Sequence, residues 1–414
     1  MIPAQVGWSP TVEDARTLVQ MGWIHSAFPK FLADQLRWLH ATNRSAASCR
    51  GAPDVLSAAR GLDAIRDAAA AKRRDAFGDP GGESVALDYV RSHQGGQPEI
   101  PLSDLRADSP DDRAAAEKFL GSATCVTDGG AVAGGALNIS AETAAGASAA
   151  FRESGVAVVD GILKEEALER LRAFVRGSTI FSRAYTQGPP GRVSFSFWAS
   201  LVRPAASSRL IRARGRRDAS SGRRGVAASR PTVAPTPPCP GYLGAFLGDG
   251  FGASGAIQQV ASELREALPE LLRDCTLRQA WAYAYPRDAP SGKRSHPRGI
   301  DVHSDDADVS VNVWIAPDAA NLNNQTGGLR IYEAKPPDDW SFETANRDLD
   351  AIGSLLGEDA PFYRVPYREN RAVVLNGHRF HQTDALDFAP GFLNHRINLT
   401  FLFGKRRRNG GCRI

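Results

Sequence analysis

Apolar residues recur at three- and four-residue steps through Leu18, Met21, Ile24, Phe28, Phe31, Leu32 and Leu36, with Arg16, Lys30, Asp34 and Arg37 between them. That spacing predicts an amphipathic helix or a helical pair, broken or kinked at Pro29. A second helix is expected over Val55 to Phe77, and Ser109-Pro110-Asp111-Asp112 reads as the N-terminal cap of a third. The pattern then shortens. Gly155 to Val159 is a short buried strand, and Lys164 to Arg176 a helix with Leu168, Leu171 and Val175 on one face. Ile257, Val260, Ala261, Leu264 and Leu268 mark another helix, which Pro269 disturbs. From Ala280 onward short β-type runs alternate with turn-rich loops: Trp281–Tyr285, Val309–Ile315, Leu329–Tyr332, Arg371–Asn376 and Ile397–Phe403. Many short strands with irregular loops predict a β-sandwich or barrel, with helices supplied from upstream.

Composition divides the chain. Of 414 residues, 42% are hydrophobic, enough for a sizeable core. Residues 1–126 form a helical N-terminal region, and 127–150, rich in Gly, Ala and Ser, read as a linker. Ordered sequence resumes at Phe151 and runs to residue 405, interrupted at about 186–240 by Arg, Ser, Ala and Pro without hydrophobic periodicity. That insert cannot bury enough apolar surface to offset its ordering entropy, so it reads as disordered; a basic arm is the alternative. Between Arg203 and Arg230 nine arginines face one acid, so the rest of the chain carries −4 rather than the overall +4. Basicity therefore does not argue for nucleic acid. Residues 406–414 are a basic tail.

The start, MIPAQVGWSP, lacks a basic stretch followed by an apolar run, and no apolar stretch is long enough to span a membrane. Five scattered cysteines without CxxC spacing argue against a disulfide framework and a zinc ribbon, and favour a reducing, intracellular, cytoplasmic setting.

The chemistry lies in the strand-rich half. In extended chain His303 and Asp305 point to the same side, so both can bind one ion. A third ligand follows the apolar strand Ala372 to Leu375, where His381 and His378 compete. Two imidazoles and a carboxylate leave three octahedral positions open, which suits Fe(II) binding a bidentate cosubstrate and dioxygen; zinc accepts the same donors plus water. Arg396 separates the two. Arg396, Asn398 and Thr400 share one face of their strand and Ile397, Leu399, Phe401 and Phe403 the other, which turns an arginine into the barrel. A buried guanidinium needs an anion, and its fork matches a carboxylate, with 2-oxoglutarate the obvious candidate.

These segments resemble the Fe(II)/2-oxoglutarate-dependent oxygenase superfamily, and within it a bacterial and algal group. The likeness runs through Gly241–Phe246, Trp281–Tyr285, Gly299–Asp305, Val309–Pro317, Ala320–Leu322, Gly327–Leu329, Phe380-His381-Gln382-Thr383 and Arg396–Gly404. It covers about residues 151–185 and 241–405, near half the chain. Ser304, Asp306 and Ser310 depart from the group's usual residues without removing a ligand. The resemblance implies an α+β fold: a double-stranded β-helix of jelly-roll or cupin-like type with flanking helices, beside the helical N-terminal region. It implies His303, Asp305 and His381 as iron ligands and Arg396 as the 2-oxoglutarate clamp, with Asn398, Tyr283 and Asn312 as further cosubstrate contacts. Retention of Asp305 argues against a halogenase. The implied reaction uses Fe(II), 2-oxoglutarate and O2 to hydroxylate a C–H bond of a small-molecule or peptidyl substrate, releasing succinate and CO2. A non-catalytic barrel acting as a binding module and a zinc hydrolase are the alternatives.

Overall fold

The computed structural model describes residues 12–14, 23–24, 27–44, 49, 54–77, 100–101, 109–120, 125–127, 129–181, 183–185, 242–286 and 299–404. Leu18, Met21, the 186–240 insert, His296 and the 406–414 tail lie outside them.

The strands are β1 (Val12–Asp14), β2 (Trp23–Ile24), β3 (Ile100–Pro101), β4 (Val156–Asp160), β5 (Arg183–Tyr185), β6 (Tyr242–Phe246), β7 (Leu277–Tyr285), β8 (Val309–Trp314), β9 (Leu329–Tyr332), β10 (Phe362–Val365), β11 (Arg371–Asn376), β12 (His381–Thr383) and β13 (Arg396–Phe403). Among the described residues they make an antiparallel sheet in the order β1-β5-β6-β7-β13-β8-β11-β4, a smaller antiparallel sheet β10-β9-β12, and the pair β2-β3. Helices cover Ala27–Ala41, Val55–Phe77, Pro110–Leu120, Ala141–Ser154, Glu165–Gly177 and Gly255–Ala267, with shorter ones at Pro269–Leu272, Phe342–Arg347 and Leu349–Leu356.

Alternation along the large sheet separates two apolar layers. Ile397, Leu399, Phe401 and Phe403 join Val309, Val311, Val313, Ala372 and Val374 in a core shared with Leu168, Leu171, Ile257, Val260 and Leu264 of the helices. Ala280, Ala282 and Ala284 hold the same phase of β7; their small side chains admit close helix packing. The opposite phase carries Tyr283 and Tyr285 of β7, Trp314 and Val373, which pack with Leu329 and Ile331 of the small sheet. The two sheets thus face each other across a second, aromatic-rich interior. A one-residue slip of β13 would turn Arg396 into the helix layer and Ile397 into that interior.

The N-terminal helices join the main core rather than standing apart. Phe31 packs edge-on against Phe181, ring centroids 5.2 Å apart. Gln35 Nε2 donates to the carbonyls of Arg176 at 2.9 Å and Ser178 at 2.8 Å.

Several expectations change. Pro29 neither breaks nor kinks a helix, because the helix starts at Ala27 and places it in the first turn, where a missing N–H costs nothing. Ile24 belongs to β2 instead. Part of the expected linker is the helix Ala141–Ser154, capped by Ser140, whose hydroxyl accepts from Thr143 N–H; its alanines make a helix that composition alone reads as spacer. Cys49 and Cys125 form a disulfide 76 residues apart in sequence. Such bonds persist in oxidising compartments, which runs against the reducing setting inferred from scattered cysteines. No helix among the described residues is long and apolar enough to cross a membrane.

Candidate metal centre

His303 and His381 are brought together by the backbone. They form an antiparallel bridge, extending the small sheet beyond β12. Asp305 follows on the same side of the chain, its N–H bonded to the Gly377 carbonyl at 2.9 Å. The histidine Nε2 atoms and the Asp305 carboxylate converge: His303 Nε2 lies 3.6 Å from Oδ1 and His381 Nε2 3.4 Å from Oδ2. One ligand atom from each residue falls within 4.8 Å of the others, the spacing of donors around one ion.

The second nitrogen of each ring is already committed. His303 Nδ1 lies 2.7 Å from the Asp301 carbonyl and His381 Nδ1 3.0 Å from the Arg379 carbonyl. A carbonyl only accepts, so Nδ1 carries the proton in both neutral rings and each Nε2 lone pair is left for a metal. Asp305 Oδ2 accepts from the Ser310 hydroxyl at 2.6 Å, which fixes the rotation of the carboxylate. Burial would raise the pKa of Asp305, but the adjoining His381 charge and bonds from both histidines hold it well below the usual carboxylate range. Burial likewise opposes protonation of His381, and Asp305 overrides it, raising the imidazole above its ordinary value. The two histidines therefore hold Asp305 in its anionic form.

His378, the rival ligand, sits apart: its Nε2 faces Asp308 Oδ1 at 3.3 Å. His395, in the loop before β13, is buried and stacks on Phe31 with centroids 5.7 Å apart.

Arg396 opens β13 from its interior phase and is 1% exposed, among the largest fully buried side chains. Its Nε donates to the Gly327 carbonyl at 2.7 Å. Its carbon lies 4.9 Å from the Tyr285 ring centroid and 5.7 Å from that of Trp314. Both Nη atoms are buried without a hydrogen-bond partner. Burial lowers its pKa, with the Tyr285 and Tyr367 hydroxyls acting the other way. Gly327-Gly328 allows a close approach: Gly327 stands at φ +84° and a Cβ on Gly328 would fall 1.9 Å from the Val365 carbonyl oxygen. Only glycine lets this chain pass close enough to present its carbonyl to the guanidinium.

Asn312, Asn398 and Thr400 are buried in a closed triangle. Asn398 Nδ2 donates to Asn312 Oδ1 at 2.9 Å and to Thr400 Oγ1 at 2.8 Å, and Thr400 donates to Asn312 Oδ1 at 3.0 Å. Asn398 Oδ1 is left buried and unpartnered. Tyr283 pairs with Asn398 in the strand register and packs edge-on against Tyr242, while Tyr285 is the residue opposite Arg396. The sequence alone assigns Ser310, Tyr285 and Gly327 no role at the site. Ser310 shares the two-residue phase of Asn312 and Trp314, a signal that was available; the β7–β13 register that chooses Tyr285 over Tyr283 was not.

No family model matches the chain, and no curated protein matches it. Solved structures do. The chain is similar to the non-heme alpha ketoglutarate dependent epimerase SnoN from nogalamycin biosynthesis, at 10% identity and a TM-score of 0.37, over 66% of this chain and 88% of that one. It is similar to a prolyl hydroxylase from Trichoplax adhaerens solved with a hypoxia inducible factor peptide, at 13% identity and a TM-score of 0.33, over 64% and 89%. A 2OG-Fe(II) oxygenase family oxidoreductase from Burkholderia pseudomallei matches at 9% identity and a TM-score of 0.34, over 65% and 92%. At such superposition scores the likeness decides nothing about this chain, and the chemistry of the centre stands on its own donors and its own buried arginine.

Proposed function

We propose that this chain is an Fe(II)- and 2-oxoglutarate-dependent dioxygenase that hydroxylates a C–H bond of a small-molecule or peptidyl substrate, with release of succinate and CO2. In this reading the two facing sheets are a double-stranded β-helix. His303, Asp305 and His381 hold the metal from one side, and their donor set of two imidazoles and one carboxylate fits Fe(II) with open positions. Iron bound there would supply O2 activation coupled to oxidative decarboxylation of the keto acid.

The observation that carries the proposal is Arg396. A guanidinium buried with both Nη atoms unpartnered, on the interior face of the sheet that also bears Ser310, is costly unless an anion enters. Its two free Nη donors match the far carboxylate of 2-oxoglutarate bidentately. Tyr285 stands opposite, and burial keeps its phenol protonated and able to donate. A plain zinc hydrolase has no use for this arginine. Asn312 and Asn398 lie between the clamp and the Ser310 end of the interior and complete the cosubstrate and substrate walls.

Each residue then has one task. Ser310 keeps Asp305 in a metal-facing rotamer. The Asp301 and Arg379 carbonyls hold the histidine tautomers. Arg396 orients the cosubstrate, and the aromatic interior excludes water. The test is aerobic conversion of 2-oxoglutarate to succinate with added Fe(II), comparing wild type with His381→Ala. Turnover by the wild type alone supports the assignment. Equal turnover by the two proteins overturns it.

A further inference from the structure

A cleft that the proposed reaction does not use includes Arg379, two residues before His381. It measures about 530 Å³ and is lined by Phe151, Arg152, Glu153, Gly155, Lys335, Asn376 and Arg379. That volume is within the range of small-molecule sites. Its lining is polar, and its polar groups are mostly donors.

Arg379 is the unusual member. Its Nε and Nη1 are buried without a hydrogen-bond partner, although the side chain as a whole is only partly buried. Hiding these two atoms costs free energy and pins the guanidinium against the backbone, which leaves Nη2, absent from the buried unpartnered atoms, as the nitrogen that can meet a ligand in the cleft. The fold holds the side chain there. Gly155, at φ +70°, closes the helix Ala141–Ser154, and a Cβ on it would fall 2.8 Å from Arg379 Nε. The left-handed cap and the missing side chain together let the guanidinium lie against the backbone.

The neighbours set the sign of the ligand. Asn376 Oδ1 already accepts the His378 N–H at 3.0 Å, which leaves its amide nitrogen to donate. Lys335, also in the lining, is exposed. Arg152 is engaged by Glu270. Glu153 is the one acid of the lining, and it is exposed. Two uncommitted cations and an amide donor against one solvated carboxylate favour an anion.

We propose that this cleft is a binding site for a small oxyanion, a phosphate or carboxylate group, gripped by Arg379, Lys335 and the Asn376 amide. The site is distinct from Arg396. It adjoins the metal centre through the backbone, because the Arg379 carbonyl accepts the hydrogen bond from His381 Nδ1–H.

Isothermal titration of inorganic phosphate into the full chain tests this, with acetate at equal ionic strength as the carboxylate arm. The expected result is saturable phosphate binding that Arg379→Gln and Lys335→Gln each weaken tenfold or more, and that Arg396→Gln leaves unchanged. Acetate saturation that Arg379→Gln and Lys335→Gln weaken assigns a carboxylate-tolerant site; acetate binding lost only in Arg396→Gln belongs to the Arg396 clamp, and phosphate alone assigns a phosphate site. Absence of saturable binding by either anion overturns the proposal. So does binding that is lost in Arg396→Gln and kept in Arg379→Gln and Lys335→Gln. Should Arg379→Gln not fold, Lys335→Gln carries the test. Neither outcome bears on 2-oxoglutarate turnover, so failure here is separable from failure of the oxygenase reading.

Discussion

The backbones of His303 and His381 exchange two hydrogen bonds, His303 N–H to the His381 carbonyl at 3.0 Å and His381 N–H to the His303 carbonyl at 2.8 Å. The pair belongs to the sheet, so the spacing of the two imidazoles is set by main-chain pairing before any side chain is placed. That rigidity is what a site needs if its donors are to keep their geometry while the other side of the metal stays open.

Ser310 tests the support of the carboxylate. Ser310→Ala removes the 2.6 Å hydrogen bond to Asp305 Oδ2 without creating a large cavity. Loss of such an outer partner weakens metal affinity by roughly 10- to 100-fold. Competition titration with a chromophoric chelator should show that drop, with thermal unfolding of the metal-free protein shifted by about 1 kcal/mol.

Arg396 should behave oddly in the absence of ligand. Its buried charge has no anionic partner within hydrogen-bond distance, so Arg396→Met leaves the ligand-free protein as stable as wild type or more stable. The same change should raise the Kd for 2-oxoglutarate by at least about 30-fold, since truncating one side of a buried charge pair costs ~2–5 kcal/mol. Arg396→Lys keeps the charge and loses the fork, and should fall between the two.

Metal affinity should depend on pH with a definite sign. His381 must be neutral to bind, and Asp305 raises its pKa above 6.5 in the metal-free protein. A proton held more tightly in the folded state stabilises the metal-free fold at low pH, an effect lost as pH rises through the raised pKa. Metal affinity therefore weakens as pH falls, beginning above pH 6.5. Asp305, with its pKa depressed, adds nothing to the slope there. Affinity titrations from pH 6 to 8 would show proton release on binding; a flat profile contradicts the assignment of His381.

The disulfide makes its own prediction. Closing a loop of 76 residues between Cys49 and Cys125 restricts the unfolded chain by an amount worth about 4 kcal/mol. The Cys49→Ser/Cys125→Ser protein should unfold at lower denaturant than wild type under non-reducing conditions, and reductant should close the gap. Metal affinity should be unchanged, because neither residue touches the centre.

Much of this arrangement was legible in the chain. The i, i+2 spacing of His303 and Asp305, and the alternation Arg396, Asn398, Thr400 against Ile397, Leu399, Phe401, are local facts that the pleat converts directly into facing. Leu329–Tyr332 and Arg371–Asn376 were bounded correctly because turn residues flank them. What failed was non-local or balanced between effects. That Tyr285 lies beside the guanidinium follows from a pairing register between strands more than 100 residues apart, which no local pattern reveals. Cys49 and Cys125 meet only because the intervening helices fold back. The helix at Ala141–Ser154 looks like spacer until Ser140 is seen to cap it, and Pro29 looks like a breaker until the helix is seen to start two residues earlier.

The most direct test of the central claim is anaerobic calorimetric titration of 2-oxoglutarate into protein loaded with Fe(II), for wild type, His381→Ala and Arg396→Met. One molecule should bind per wild-type chain, and each substitution should weaken binding by at least about 30-fold, because the cosubstrate is held at both ends at once. Binding that survives either substitution unchanged, or no binding to the wild type, would contradict the account.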